Sequence, residues 1–267
     1  MQRAAALQLA LPAHAHLSRL LGLAWSYDTA SVYVVMERSD GGTLATALGG
    51  TVRLAWATQK LPIAIGVASG LAFLHQRTPP IVHRDLKTDN ILLNGARDAA
   101  KITDFDFLRL NTSTGQTLMT CNVGTPAFAA PEMQRLNMGL RQHGAYDGTG
   151  IDVWSLGCVI YQLMSLRPPF EAGTGLVQRV LYREPAPLPE MYSQGLRDTV
   201  GMMLRKAPDA RPSCKELITV PYVAAAIDNW MKVSCGATPS ENDPNNTTLD
   251  STSYLRQSAE DPFSVAT

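Results

Sequence analysis

The sequence is short of cysteine: Cys121, Cys158, Cys214 and Cys235 are all it has in 267 residues, and no two stand in a C-x-x-C spacing. That spacing argues against both a structural zinc site and a disulfide framework, so the expectation is a reducing, cytoplasmic compartment. Charge of one sign is lacking too, with 23 Lys plus Arg against 23 Asp plus Glu and a formal net charge of +0. Without an overall field, no nucleic acid and no membrane surface is expected as a partner, and any electrostatic chemistry must be local. No uninterrupted run approaches the ~18 apolar residues of a membrane span. The start Met1-Gln2-Arg3 also lacks the basic-then-apolar layout of a secretory signal. The sequon Asn245-Asn246-Thr247 is discounted for the same reason, and no internal repeat is found.

What is present is apolar patterning. Residues 4–11 form an Ala/Leu-rich helical pattern, and Leu20–Trp25 and Val32–Met36 read as strands separated by the turn-like Ser26-Tyr27-Asp28. Gly41 and Gly42 break the chain, after which the reading is mainly helical, with a long periodic stretch from Leu61 to His75 and Pro62 in its first turn. Between Pro79 and Asp104 the pattern changes to short strands and loops, with charged residues set among apolar ones. A second helical series is expected from about Ile151 to Val223. Positions 233–267 are rich in Ser, Thr, Asn, Asp and Pro without periodicity, which predicts a disordered tail.

The most informative run is His83-Arg84-Asp85-Leu86-Lys87-Thr88-Asp89-Asn90. It resembles the catalytic loop of eukaryotic protein kinases, H-R-D-L-x-x-x-N, at every fixed position. Phosphoryl transfer needs an acceptor for the hydroxyl proton, a cation near the migrating phosphate and an oxygen ligand for magnesium, held in line. The resemblance implies Asp85 as base, Lys87 as cation and Asn90 as magnesium ligand. Further on, Asp104-Phe105-Asp106 stands where the family has D-F-G, so Asp104 would bind Mg2+ directly, a task that suits a hard carboxylate. Asp106 replaces the motif glycine, and a residue with a Cβ there is expected to alter the loop's switching. Ala130-Pro131-Glu132 matches the A-P-E that closes the activation segment, and Arg211 lies where the family has the arginine that pairs with this glutamate. Asp152-Val153-Trp154-Ser155-Leu156-Gly157 resembles the start of the family's buried central helix, whose aspartate holds the catalytic-loop backbone.

Other roles follow from the same resemblance. Val32–Met36 and the residues after it resemble the last small-lobe strand and hinge. Met36 would then be the gatekeeper, the backbone of Glu37 and Ser39 would meet the adenine edge, and Leu92 would pack beneath the ring. Lys87 and Thr125 resemble the serine/threonine class, and H-R-D-L-K-T-D-N with V-G-T-P looks most like its tyrosine-kinase-like group. Arg84 beside the base is suited to bind a loop phosphate, with Thr112, Ser113, Thr114, Thr117 and Thr120 as candidate sites for an upstream activating kinase. His14 and His16 fall at the family's H-P-N turn, and a metal site there would lack further ligands. ATP and Mg2+ are the implied cofactors and a protein the implied substrate.

The family covers the ATP phosphates with G-x-G-x-x-G and grips them with the lysine of V-A-I-K, paired to a glutamate on the next helix. The sequence has no G-x-G-x-x-G, its first lysine is Lys60 and its first carboxylate Asp28. The resemblance thus covers roughly residues 3–225. The implied fold class is α+β, a protein-kinase-like bilobal fold with a truncated small β-rich lobe and a complete, mainly helical large lobe. Its division would be 1–36 partial small lobe, 37–42 hinge, 43–232 large lobe and 233–267 tail. Three readings stand: a fragment of an active protein serine/threonine kinase, a pseudokinase acting as an interaction module, or a remnant that does not fold alone. Survival of Asp85, Lys87, Asn90 and Asp104 favours the first; the missing lysine and Asp106 favour the second.

Overall fold

The computed structural model describes residues 7–29, 31–105, 108–110, 125–139 and 148–219. Residues 7–10 are helical, Leu11 is in a bend just past the helix, and residues 4–6 of the expected 4–11 helix lie outside the described residues. The two apolar runs form an antiparallel hairpin of β1 (Leu20–Ser26) and β2 (Ser31–Met36), with Leu23 opposite Val34 and Trp25 opposite Val32. Side chains alternate across a strand, so Leu23, Trp25, Val32 and Val34 share one face and Ala24, Tyr33 and Val35 the other. Both faces are open to water: Trp25 is 54% and Tyr33 50% exposed.

After β2 the chain runs to Thr43, which caps α1 (Leu44–Gly49) by accepting a hydrogen bond from the Thr46 N–H at 3.1 Å. Gly41 has no alternative residue here, because a Cβ at that position would lie 2.0 Å from the Asn94 carbonyl oxygen. A π-helical turn at Trp56–Lys60 leads into α2 (Leu61–His75), with Pro62 in its first turn where the missing N–H costs nothing. Trp56–His75 is long and apolar enough by length and composition to cross a membrane. In this fold it is the central core helix, apolar on all sides because it is packed on all sides.

Short strands follow: β3 (Ile81–Val82), β4 (Ile91–Leu93), β5 (Ala100–Ile102) and β6 (Arg109–Leu110), with β3 paired to β6 and β4 to β5, both antiparallel. The helices α3 (Pro131–Asn137), α4 (Thr149–Ser165), α5 (Leu176–Tyr182), α6 (Gln194–Met203) and α7 (Cys214–Thr219) complete the described chain. One core surrounds α2 and includes Leu71, Leu86, Ile91, Ile102 and Leu156; a second surrounds Trp154, with Met133, Phe170 and Val200. The architecture is α+β, a small sheet region followed by a mainly helical lobe.

The two parts meet at a notch on α2. Gly66 and Gly70 lie four residues apart, on one face of the helix. A Cβ on Gly66 would lie 2.6 Å from Nδ1 of His16, and one on Gly70 3.0 Å from the His16 carbonyl oxygen. The absent side chains let the turn before β1 lie against the helix backbone. From there the His16 carbonyl accepts from the Ile102 N–H at 2.9 Å, and the Ser18 N–H donates to the Ile102 carbonyl at 2.8 Å. Pairing this turn with β5 places the segment before Asp104 beside the hairpin.

Candidate active site

The run His83–Asn90 forms a buried loop between β3 and β4, fixed by a carboxylate from α4. Asp152, fully buried, accepts from the His83 N–H at 2.8 Å and from the Arg84 N–H at 2.8 Å, and its Oδ2 meets Nε2 of His75 at 2.8 Å. Burial opposes ionisation of Asp152, but the bond and charge of His75 and the His83 charge hold its carboxyl below the usual range. Burial likewise pushes the His75 imidazole down, while Cys214 and Asp152 carry it up to about 10. The result is a buried ion pair that holds two consecutive loop amides. Arg84 sits at φ 73° and Asp104 at φ 62°, a backbone region costly for residues with a Cβ, so the surrounding bonds must enforce both.

Within the loop the Asp85 carboxylate is the centre. Its Oδ2 accepts from Lys87 Nζ at 2.8 Å and from Asn90 Nδ2 at 3.1 Å, and its Oδ1 accepts from the Thr125 N–H at 3.0 Å. The Asn90 amide nitrogen also donates to the Asp85 carbonyl at 2.9 Å, so the oxygen of that amide is the atom left for a cation. Beyond β5, His83 Nε2 lies 3.0 Å from the Thr103 carbonyl and Phe105 packs edge-on against the His83 ring at 5.5 Å. Asp104 follows directly, half-buried, and among the described residues no hydrogen bond occupies its carboxylate. An amide oxygen and a carboxylate are the donors that Mg2+ takes, so the residues present fit that ion.

The structure brings Leu92 to the segment that follows β2. It forms an antiparallel bridge to Thr43, while the Leu93 N–H donates to the Gly42 carbonyl and the Gly41 N–H to the Leu93 carbonyl, each at 2.9 Å. Met36, Glu37 and Ser39 are half-buried, and among the described residues no main-chain partner takes the Glu37 carbonyl or the Ser39 N–H. Glu132 and Arg211 meet in a buried bidentate pair, with Arg211 also donating to the Gly150 carbonyl at 2.7 Å. Asp106, Thr112, Ser113, Thr114, Thr117 and Thr120 lie outside the described residues, as does the 233–267 tail. His14 stacks on Phe73 at 4.6 Å and is pushed down to about 4 by burial, while His16 Nδ1 is taken by the Ala100 carbonyl at 2.9 Å.

Three contributors were not visible as site residues in the sequence. His75 reads as the polar end of an apolar helix, Lys101 as a strand residue and the Glu37 carboxylate as an exposed hinge charge. None belongs to a local string, because each meets its partner across a long stretch of chain.

The protein kinase domain family matches residues 5–223 of this chain. Among curated proteins, the chain is 29% identical over 207 residues to human serine/threonine-protein kinase Nek5, a match covering 76% of this chain and 28% of that protein. It is 30% identical to mouse Nek5 over 203 residues, covering 75% and 31%, and 29% identical to mouse Nek4 over 221 residues, covering 82% and 26%. The match therefore spans less than a third of the length of these curated relatives. All three carry the Nek name, so they add nothing for the tyrosine-kinase-like group. With the loop, its carboxylate anchor and the Glu132–Arg211 pair all in place, the chain belongs to the protein kinase domain family.

Proposed function

We propose that this chain is part of a protein serine/threonine kinase that transfers the ATP γ-phosphate to a protein hydroxyl. The observation that carries the reading is Asp85, nearly buried and bonded by Lys87, Asn90 and Thr125. A carboxylate so held would take the acceptor hydroxyl's proton and orient its oxygen, with Lys87 beside the migrating phosphoryl group. Asn90 and Asp104 would hold Mg2+, which when bound neutralises charge on the phosphates. The hinge backbone at Glu37 and Ser39, gated by Met36 and floored by Leu92, would read adenine. Thr125, bonded to the base through its N–H, would place the activation segment beside the acceptor. Phosphorylation within Thr112–Thr120 would order that segment. The hairpin, apolar and open on both faces, supports a chain that is a piece of a larger kinase domain, since stable sheets of this kind need more strands or a helix over one face.

The test is magnesium-dependent transfer of labelled phosphate to a serine-rich acceptor such as casein, by the longest chain the gene encodes. Asp85→Asn should lower kcat by about 100-fold or more while leaving nucleotide affinity nearly unchanged. Equal turnover in parent and variant would overturn the assignment. A second reading, an interaction module without catalysis, is favoured by Asp106 in place of the motif glycine. It would be upheld by a parent that binds nucleotide or partner and transfers no phosphate.

A further inference from the structure

Glu37 does more than lend its backbone to the hinge. Its two carboxylate oxygens go to different segments: Oε1 accepts from the Arg19 N–H at 2.7 Å, and Oε2 meets Lys101 Nζ at 2.7 Å. Its own N–H donates to the Arg19 carbonyl at 3.0 Å. Arg19 ends the turn whose His16 and Ser18 pair with Ile102, and Lys101 is the middle residue of β5. Three residues beyond Lys101 is Asp104, in its left-handed conformation. One side chain therefore joins the hinge, the turn before β1 and the strand that feeds the metal-side carboxylate. Burial opposes ionisation of Glu37, and the bonds from Lys101 and the Arg19 N–H more than offset it, so the carboxylate stays charged in the pair.

We propose that Glu37 is a positioning residue that ties the adenine-side hinge through Lys101 to the strand holding Asp104, so that the two ends of the nucleotide site keep one fixed spacing. This rests on the reading of the site as a nucleotide-dependent kinase centre. Its physical basis is that the other restraints on β5 reach different elements: the ladder to β4, Ile102 to the turn at His16 and Ser18, Thr103 N–H to the Asn90 carbonyl at 2.9 Å and His83 to the Thr103 carbonyl at 3.0 Å. These fix β5 to β4, to that turn and to the catalytic loop. Glu37 fixes it to the hinge. The pair is partly exposed, with side chains 33% and 26% accessible, so it adds little to global stability. Its loss should loosen one strand and leave the fold in place.

The experiment has two arms in the same protein. In the absence of nucleotide, amide hydrogen exchange at Ile102–Phe105 should quicken by about fivefold in Glu37→Gln and in Lys101→Met, and no further in the double variant, with the melting temperature nearly unchanged. Lys101→Arg should restore the parent rate. With nucleotide, the gain in ATP affinity on adding Mg2+ should shrink in Glu37→Gln, while adenosine affinity should change less. Unchanged exchange at 102–105, acceleration spread evenly over the chain, or additive effects in the double variant would overturn the tie. If the parent binds no nucleotide, the kinase reading fails, and the exchange arm still decides whether Glu37 holds β5.

Discussion

Glu132 and Arg211 stand 79 residues apart and meet through two parallel hydrogen bonds, Nη1 to Oε1 at 2.7 Å and Nη2 to Oε2 at 2.8 Å. Both side chains are essentially buried, 1% and 0% accessible, and Arg211 also lies over the Trp154 ring at 5.1 Å. Removing one member of such a pair leaves an uncompensated charge, at a cost of about 3–5 kcal/mol. Glu132→Gln and Arg211→Met should each lower the denaturation midpoint by that equivalent. Arg211→Lys should not rescue, because an ammonium cannot reproduce the planar fork. Equilibrium urea unfolding checks it, and a loss below about 1 kcal/mol in either single variant would contradict the burial argument.

The His75–Asp152 pair makes stability depend on pH in a defined direction. His75 is raised from 6.5 to about 10 in the fold, so its contribution is fully present below pH 6.5 and is lost as pH rises through about 10. Stability should fall between pH 6.5 and about 10, with a slope approaching about 1.4 kcal/mol per pH unit. In His75→Asn this alkaline slope should flatten. Denaturation measured from pH 6 to pH 10 reads it directly, and parallel profiles for parent and variant would show that the pair does not titrate as described.

Gly41 is a position where one methyl group should be enough to disturb the hinge. A Cβ there would sit 2.0 Å from the Asn94 carbonyl oxygen and 2.7 Å from that of Leu93, both backbone atoms of the segment after β4. Gly41→Ala must therefore push the hinge away from β4 and break the bond from the Gly41 N–H to the Leu93 carbonyl. A loss of about 1–3 kcal/mol is expected, with adenosine affinity falling in parallel. Gly42 has open space around it and φ +76°, so Gly42→Ala should cost only about 1 kcal/mol of backbone strain.

The hairpin should govern the chain's behaviour in solution. Leu23, Trp25, Val32 and Val34 form one exposed face, and no charged side chain interrupts β1 or β2. The purified 267-residue chain should therefore bind an apolar dye and self-associate as concentration rises. Leu23→Glu with Val34→Lys, a cross-strand pair, should suppress both. Light scattering of parent and double variant decides it, with equal association in the two pointing to another surface.

The His83–Asn90 loop was legible because the family motif lies in eight consecutive residues, and the hairpin and α2 because an apolar pattern marks each. The boundaries at Leu20, Met36, Leu61 and His75 coincide with those of the structure. The supporting contacts were not legible in the same way. His75 meets Asp152 across 77 residues and Glu37 meets Lys101 across 64, separations that only folding closes. The left-handed backbone at Arg84 and Asp104 carries no sequence mark, since neither is glycine. The π-helical turn at Trp56–Lys60 reads simply as the start of a helix.

The notch at Gly66 and Gly70 gives the fold a weak point that can be used deliberately. The footing of the turn before β1 there depends on atoms that are missing, and Ile102 lies in contact range as well, 3.1 Å from a Cβ at position 70. A methyl group at either glycine would wedge against the turn at His16, which pairs with Ile102 two residues before Asp104 and lies outside the core around Trp154. Gly66→Ala and Gly70→Ala are thus the natural substitutions for a heat-sensitive form of the protein, sound when cool and parted from the His16 turn when warmed.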